Sequence, residues 1–504
     1  MIEKYEFDWK EEAVSLDSKV LAPDALDRAR YASFITNFLV NGTSKNGYVI
    51  NLNAPWGTGK TYFLQRWMLD INQKHPFVYI DAWTQDYSDD PMLSVVASIT
   101  EQLGSLLPKE NQLISQFGSH ASRFLKTAAP AITKGLVKKF SGVDLDDLSN
   151  SKSDVDTDTG VFDGSAASDI TKALVSDHNE KLKSVVHLKV VVSQLVEAVT
   201  SLEKELSCPI FIFVDELDRC RPTYAIEMLE VIKHFFNVEN VIFVIATDTE
   251  QLQHSVKAVY GLGFDAERYL SRFFNRRFTL NQAKRVVFVR EKAEYLPTMK
   301  TEDFRGFPFI YSQSNVAMII SNVADAFNLS LRDTEQLLDK VQGVLVNNYK
   351  GMNLYALTIL FVLYDRHNSL FQSMLSHDCE KLDNELKVLD DSTRNFDLYF
   401  SICSSGQIEG VVPASEELCR FEEKYTTIKF EELIKLFNEY LFLDLELRAD
   451  YTRKLQVDML ECSEENKELK LLKYRYYSQM NMIRLLASAH EYRNWIELAV
   501  SFDD

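Results

Sequence analysis

Nine residues, Asn53-Ala54-Pro55-Trp56-Gly57-Thr58-Gly59-Lys60-Thr61, constrain this chain more than any other stretch. They follow an apolar alternating run, Tyr48-Val49-Ile50-Asn51-Leu52, that reads as a strand. They precede Tyr62-Phe63-Leu64-Gln65-Arg66-Trp67, which reads as the opening turns of a helix. Strand, glycine-rich loop and helix are the context a phosphate-binding loop requires. Gly57 and Gly59 let the backbone curl so that successive amides converge on one anion, and the helix N-terminus adds its positive end. Lys60 is placed to reach the β- and γ-phosphates, and Thr61 to ligate Mg²⁺. Trp56, Thr58 and Tyr62 complete the expected nucleotide-contacting set. The usual leading glycine is Ala54, a replacement that costs little unless φ must be positive there. The competing reading is a glycine-rich turn that opens an ordinary helix.

A phosphate loop needs a partner strand ending in acid. Pro209-Ile210-Phe211-Ile212-Phe213-Val214-Asp215-Glu216 supplies one: a short, continuous apolar run of the kind buried in a parallel sheet. Asp215 falls at its C-terminal end, where open α/β sheets bind ligands, and is expected to hold Mg²⁺. Glu216 is placed to orient and deprotonate water. A third strand, Asn240 to Asp248, ends in Thr247 and Asp248, either beside the γ-phosphate as sensors or as the cap of the helix that Asp248-Thr249-Glu250 opens.

With these motifs quoted, the chain resembles the KAP family of P-loop NTPases. The carriers are Phe213-Val214-Asp215-Glu216-Leu217-Asp218-Arg219-Cys220, Trp56 inside the loop, Phe77-Val78-Tyr79-Ile80-Asp81-Ala82-Trp83, and Val238 to Asp248. That family includes animal ankyrin-repeat membrane scaffolds and bacterial proteins linked to phage exclusion; this chain is similar to the soluble bacterial type. The resemblance implies a three-layer α/β core of the additional-strand, catalytic-glutamate type, with a helical lid and an α-helical C-terminal domain. It implies ATP as the nucleotide, and it places Asp24 to Tyr31 near the adenine. It suggests that Arg219 contacts a neighbouring subunit or locks the loop, against the alternative of an intramolecular ion pair. Asn328 to Leu338 looks like the lid segment of the superfamily, which would make Arg332 a second sensor and Ser330 its helix cap.

The expected organisation is an NTPase core over 1–285, a lid over 286–375 and a helical domain over 376–504. Residues 141–168, acidic and rich in Ser and Gly, read as a mobile insertion, and a helical pattern runs from about Ile170 to Leu206. A helix is expected over about 20–40, another over 92–107, and a buried one at Leu354 to Tyr364. In Asp265 to Phe278, helical spacing sets Arg268, Arg272 and Arg276 on one face. Relatives that oligomerise carry an arginine finger here, so Arg276, then Arg272, are the candidates for neutralising charge on the γ-phosphate, against the alternative of a solvated basic helix face.

Composition narrows the rest. A formal net charge of −19 argues against broad nucleic-acid binding, although Arg268 to Arg285 leaves a local basic segment. Six cysteines without paired spacing give neither a zinc pattern nor a disulfide framework, so a reducing cytoplasm is expected. No apolar run is long enough to span a bilayer. The expectation is a Mg²⁺-dependent ATPase that assembles as a homo-oligomer and regulates a separately encoded effector in antiviral defence. The alternatives are a nucleotide-switched scaffold of little turnover and a nucleic-acid-dependent motor.

Overall fold

The computed structural model describes residues 4–43, 47–88, 91–107, 189–201 apart from 191, 206–235, 238–280, 285–293, 313–347, 352–376, 379–401, 410–411, 425–443, 445–461 and 487–501. The insertion expected at 141–168 lies outside them, as does most of the 170–206 helical pattern, of which residues 189–190 and 192–200 are helical. The chain divides into two compact units, Met1–Asn281 and Gln282–Asp504.

The first unit is built on five parallel strands: β1 (Tyr48–Asn53), β2 (Phe77–Asp81), β3 (Ile210–Asp215), β4 (Val241–Thr247) and β5 (Arg276–Thr279). Their spatial order is β2-β3-β4-β1-β5. Strand β4 therefore stands between the phosphate-loop strand and the acid strand, which is the additional strand expected of this fold. Both β3 and β4 are buried along their whole length, because helices cover the two faces of the sheet. Alternate residues serve opposite layers. Phe211 and Phe213 pack with helices α1 (Ala29–Gly42) and α2 (Lys60–Ile71). Ile210, Ile212 and Val214 pack with α3 (Pro91–Gly104), α4 (Pro222–Phe235) and α5 (Thr249–Tyr260).

Two local readings are corrected. The first helix begins at Ala29 rather than near residue 20; residues 20–28 hold the short strand Val20–Leu21 and a turn in which the Asp24 carboxylate accepts from the amides of Leu26, Arg28 and Ala29. The three arginines do not share a helix face. Helix α6 (Ala266–Leu270) ends before Arg272, because Asn275 docks on the sheet edge: its amide donates to Val49 O and its Oδ1 accepts from the Val49 amide. The chain then continues as β5, with Arg276 paired to Ile50.

The second unit is mostly helical around one hydrophobic core that runs from Val289 to Ile496. Residues read from the sequence as lid and as C-terminal domain contribute to that same core. Leu354–Arg366 is the buried helix expected, with Leu354 through Leu363 all inside. Pattern reading of the C-terminal region as purely helical missed an antiparallel sheet of Asp397–Ser401, Gly410–Val411 and Tyr425–Lys429. Among the described residues no helix is long and apolar enough to cross a membrane.

Trp67 is the anchor of the α2 layer. It is fully buried, its ring centroid lies 5.3 Å from that of Phe213, and its indole donates to Thr36 Oγ1 at 2.7 Å. Trp67→Ala should cost about 3–5 kcal/mol in urea unfolding of the full chain; an unchanged midpoint would contradict this packing.

Candidate active site

Strand register brings the site together. Asn53 pairs with Thr247 and Asp81 with Asp215, so loop, acids and sensor strand end level at the C-terminal edge of the sheet. The loop from Ala54 to Gly59 then turns into α2 with φ of 74° at Gly57 and 85° at Gly59. Ala54 needs no positive φ, and its methyl is buried in the core, so the missing first glycine has no structural cost. Thr58 Oγ1 donates to Pro55 O at 2.7 Å, tightening the turn. Lys60 Nζ donates to Ala54 O at 2.7 Å and lies 3.7 Å from Asp218 Oδ2.

Metal ligands expected from sequence meet directly. Thr61 Oγ1 donates to Asp215 Oδ2 at 2.8 Å and lies 3.4 Å from Glu216 Oε1. Burial pushes the Asp215 carboxyl up to about 6; the Thr61 hydrogen bond and Lys60 pull the other way. A desolvated carboxylate beside a hydroxyl is a set of hard oxygen donors, which fits Mg²⁺. Glu216 occupies the left-handed region, with φ 61°, a conformation that costs a non-glycine residue energy and aims its side chain off the strand end. Burial raises its carboxyl too, and Arg219 offsets this. Arg219 Nε lies 2.6 Å from Glu216 Oε2 but off the N–H axis, so charge rather than a directed hydrogen bond holds the pair. The Arg219 guanidinium also stands over the exposed Trp83 ring, 5.6 Å from its centroid.

The remaining predicted residues fall in varied places. Thr247 is fully buried and its Oγ1 accepts from Asn51 Nδ2 at 2.8 Å. Asp248 caps α5, accepting from the amides of Glu250 and Gln251 at 3.1 and 3.4 Å. Tyr62 donates to Ala22 O at 2.8 Å, an exposed contact with the segment that precedes α1. Arg272 is exposed, and Arg276 lies on the outer edge strand with its guanidinium 4.7 Å from the Phe38 ring centroid. Arg332 belongs to the second unit, exposed in the first turn of Leu331–Asn347, which Ser330 caps through the Asp333 amide at 3.1 Å.

Sequence reading missed Arg28. It is 3% exposed, and its Nη2 donates to Thr58 O at 2.6 Å, with Nη1 3.4 Å from Gly59 O. A Cβ on Gly59 would stand 2.8 Å from that Nη1. Burial lowers the Arg28 pKa, yet a guanidinium stays charged and holds the Thr58 and Gly59 carbonyls as a donor with no accepting group of its own. No local pattern announces an arginine buried under a loop thirty residues away.

The sequence model of the KAP family P-loop domain matches residues 28–345, well over half of the chain. The chain belongs to the KAP family. Among solved structures it is similar to the Walker-type ATPase PABY2304 of Pyrococcus abyssi, at 11% identity over 84% of this chain and 97% of that one, with a TM-score of 0.28. That superposition is too loose to inform the site. No curated protein matches the chain. In this KAP domain the signature Asp-Glu-Leu-Asp-Arg string occupies the end of β3 and the 3₁₀ turn Leu217–Arg219 beyond it.

Gly59→Ala should weaken nucleotide binding by about tenfold or more, since it must leave its left-handed conformation or displace Arg28; calorimetric titration with unchanged affinity would contradict this. A second outcome concerns pH. A carboxyl with a higher pKa in the fold than in the unfolded chain takes up a proton on folding, so the contribution of Asp215 to stability falls as pH rises from 3.8 toward about 6. Asp215→Asn lacks that slope. In metal chelator, the variant should gain on wild type across this interval, by at most about 3 kcal/mol from this one carboxyl, and keep the gain above it. Urea unfolding near both ends of the interval checks it; a pH-independent difference would contradict the assignment.

Proposed function

We propose that the first unit hydrolyses ATP with Mg²⁺. The observation that carries this reading is the Thr61–Asp215 contact, which brings the loop hydroxyl and the strand-end acid to one point below the loop. The loop amides and Lys60 bind the phosphates. Thr61 and Asp215 would hold the metal, which would supply neutralisation of phosphate charge. Glu216, next to them on the chain, orients water and accepts its proton. Thr247 and Asp248, at the neighbouring strand end, form the side of the site where the γ-phosphate falls. Arg276 or Arg272, both exposed, act in trans in a homo-oligomer.

The Glu216–Arg219 ion pair favours a second reading, a nucleotide-switched scaffold. A general base engaged by a guanidinium turns over slowly until something draws the arginine away. In both readings the chain regulates a separately encoded effector, and membership of a family that includes phage-exclusion proteins supports antiviral defence as the setting. The net charge of −19 speaks against a nucleic-acid motor.

Lys60→Ala should lose ATP binding, whereas Glu216→Gln should bind ATP with near wild-type affinity and hydrolyse it about 10²-fold or more slowly. Calorimetry beside phosphate release checks both; normal turnover in Glu216→Gln would sink the assignment. Arg219→Ala turnover above wild type would favour the switch.

A further inference from the structure

Asp218 is the acid of the β3 signature that the reaction scheme leaves without a task. Its side chain is 1% exposed. A single oxygen, Oδ2, gathers three groups from two separate elements. The Trp56 indole N–H donates to it at 2.5 Å, the Asp248 amide donates to it at 2.9 Å, and Lys60 Nζ stands 3.7 Å away. Trp56 and Lys60 belong to the phosphate loop; the Asp248 amide is the first after β4, the strand end assigned above to the γ-phosphate side. A buried carboxylate left without such donors would be costly, so the arrangement is strongly specified in both directions. Trp56 is otherwise 45% exposed, an unusual place for tryptophan unless one end is fixed.

We infer that Asp218 is a positioning residue that fixes the phosphate loop, through Trp56 and Lys60, to the sensor end of β4. Binding phosphate requires Lys60 to sit within reach of its oxygens and the loop amides to keep their concave shape. Asp218 supplies the first by holding the ammonium beside the loop and the second by clamping the indole at the crown. Its bond to the Asp248 amide makes the two ends of the site move as one body. The role rests on the nucleotide reading above.

The test is a double-mutant cycle on the full chain, titrated calorimetrically with Mg-ATP, with thermal melts to verify folding. Trp56→Phe and Asp218→Ala should each weaken binding, by about tenfold and about ten- to hundredfold, since each removes a charge-assisted hydrogen bond. The double variant should bind no more weakly than Asp218→Ala alone. Asp218→Asn keeps an acceptor oxygen for the indole and the Asp248 amide without the charge that faces Lys60, and should recover part of the affinity. The change in tryptophan emission on adding Mg-ATP should vanish in Trp56→Phe and in Asp218→Ala, and persist in Asp218→Asn. Losses that multiply in the double variant, or Asp218→Asn as damaged as Asp218→Ala, would overturn the inference while wild-type binding stands. A wild type that binds no ATP would overturn it together with the nucleotide reading.

Discussion

Inserting β4 between β1 and β3 is the constraint on which the site depends. Each strand in the middle of a parallel sheet must satisfy its backbone groups on both sides, so register is not free to slip. With β4 paired to both neighbours, Asn53, Thr247 and Asp215 end within one residue of each other. Loop, sensor and acid are thereby brought to a single edge without a dedicated contact for each. Helix α5 starts at Thr249, just past the end of β4, and α2 opens from the phosphate loop itself, so their N-termini add to the positive potential at that edge.

The charges at this edge are mostly out of water, and they are arranged in pairs. Arg28 sits under the loop carbonyls, Lys60 beside Asp218, Thr61 on Asp215, Arg219 on Glu216. Buried ions seldom add stability over apolar residues of the same shape, because desolvation offsets the attraction. Their persistence here makes sense as preorganisation: donors and acceptors already aimed where phosphate and metal charge will fall. The fold stabilises this arrangement from below, through a layer of Trp67, Phe211 and Phe213 that holds α2 against the sheet.

What could be read from sequence follows a physical line. Gly57, Gly59, Lys60 and Thr61 are adjacent and their roles come from local backbone geometry, so a few residues suffice. Asp215 at the end of an apolar run carries the same kind of local signal. Contacts across the fold carry none: nothing near Asp218 indicates Trp56, and nothing near Arg28 indicates Thr58. The Arg268, Arg272 and Arg276 spacing was misleading because helical periodicity over a dozen residues gave way to one docking residue, Asn275, at the sheet edge. In the second unit the strands Asp397–Ser401 and Tyr425–Lys429 are short and far apart in sequence, and their pairing decides their state.

The site works as proposed only if the Thr61–Asp215 pair is the metal end of a phosphate site. The most direct measurement is release of inorganic phosphate from ATP by the wild-type chain, with Mg²⁺ and with chelator in place of it. Release that requires the metal, and that rises with ATP to a plateau, is the predicted result. Release indifferent to chelation, or no release together with no measurable ATP binding, would contradict it.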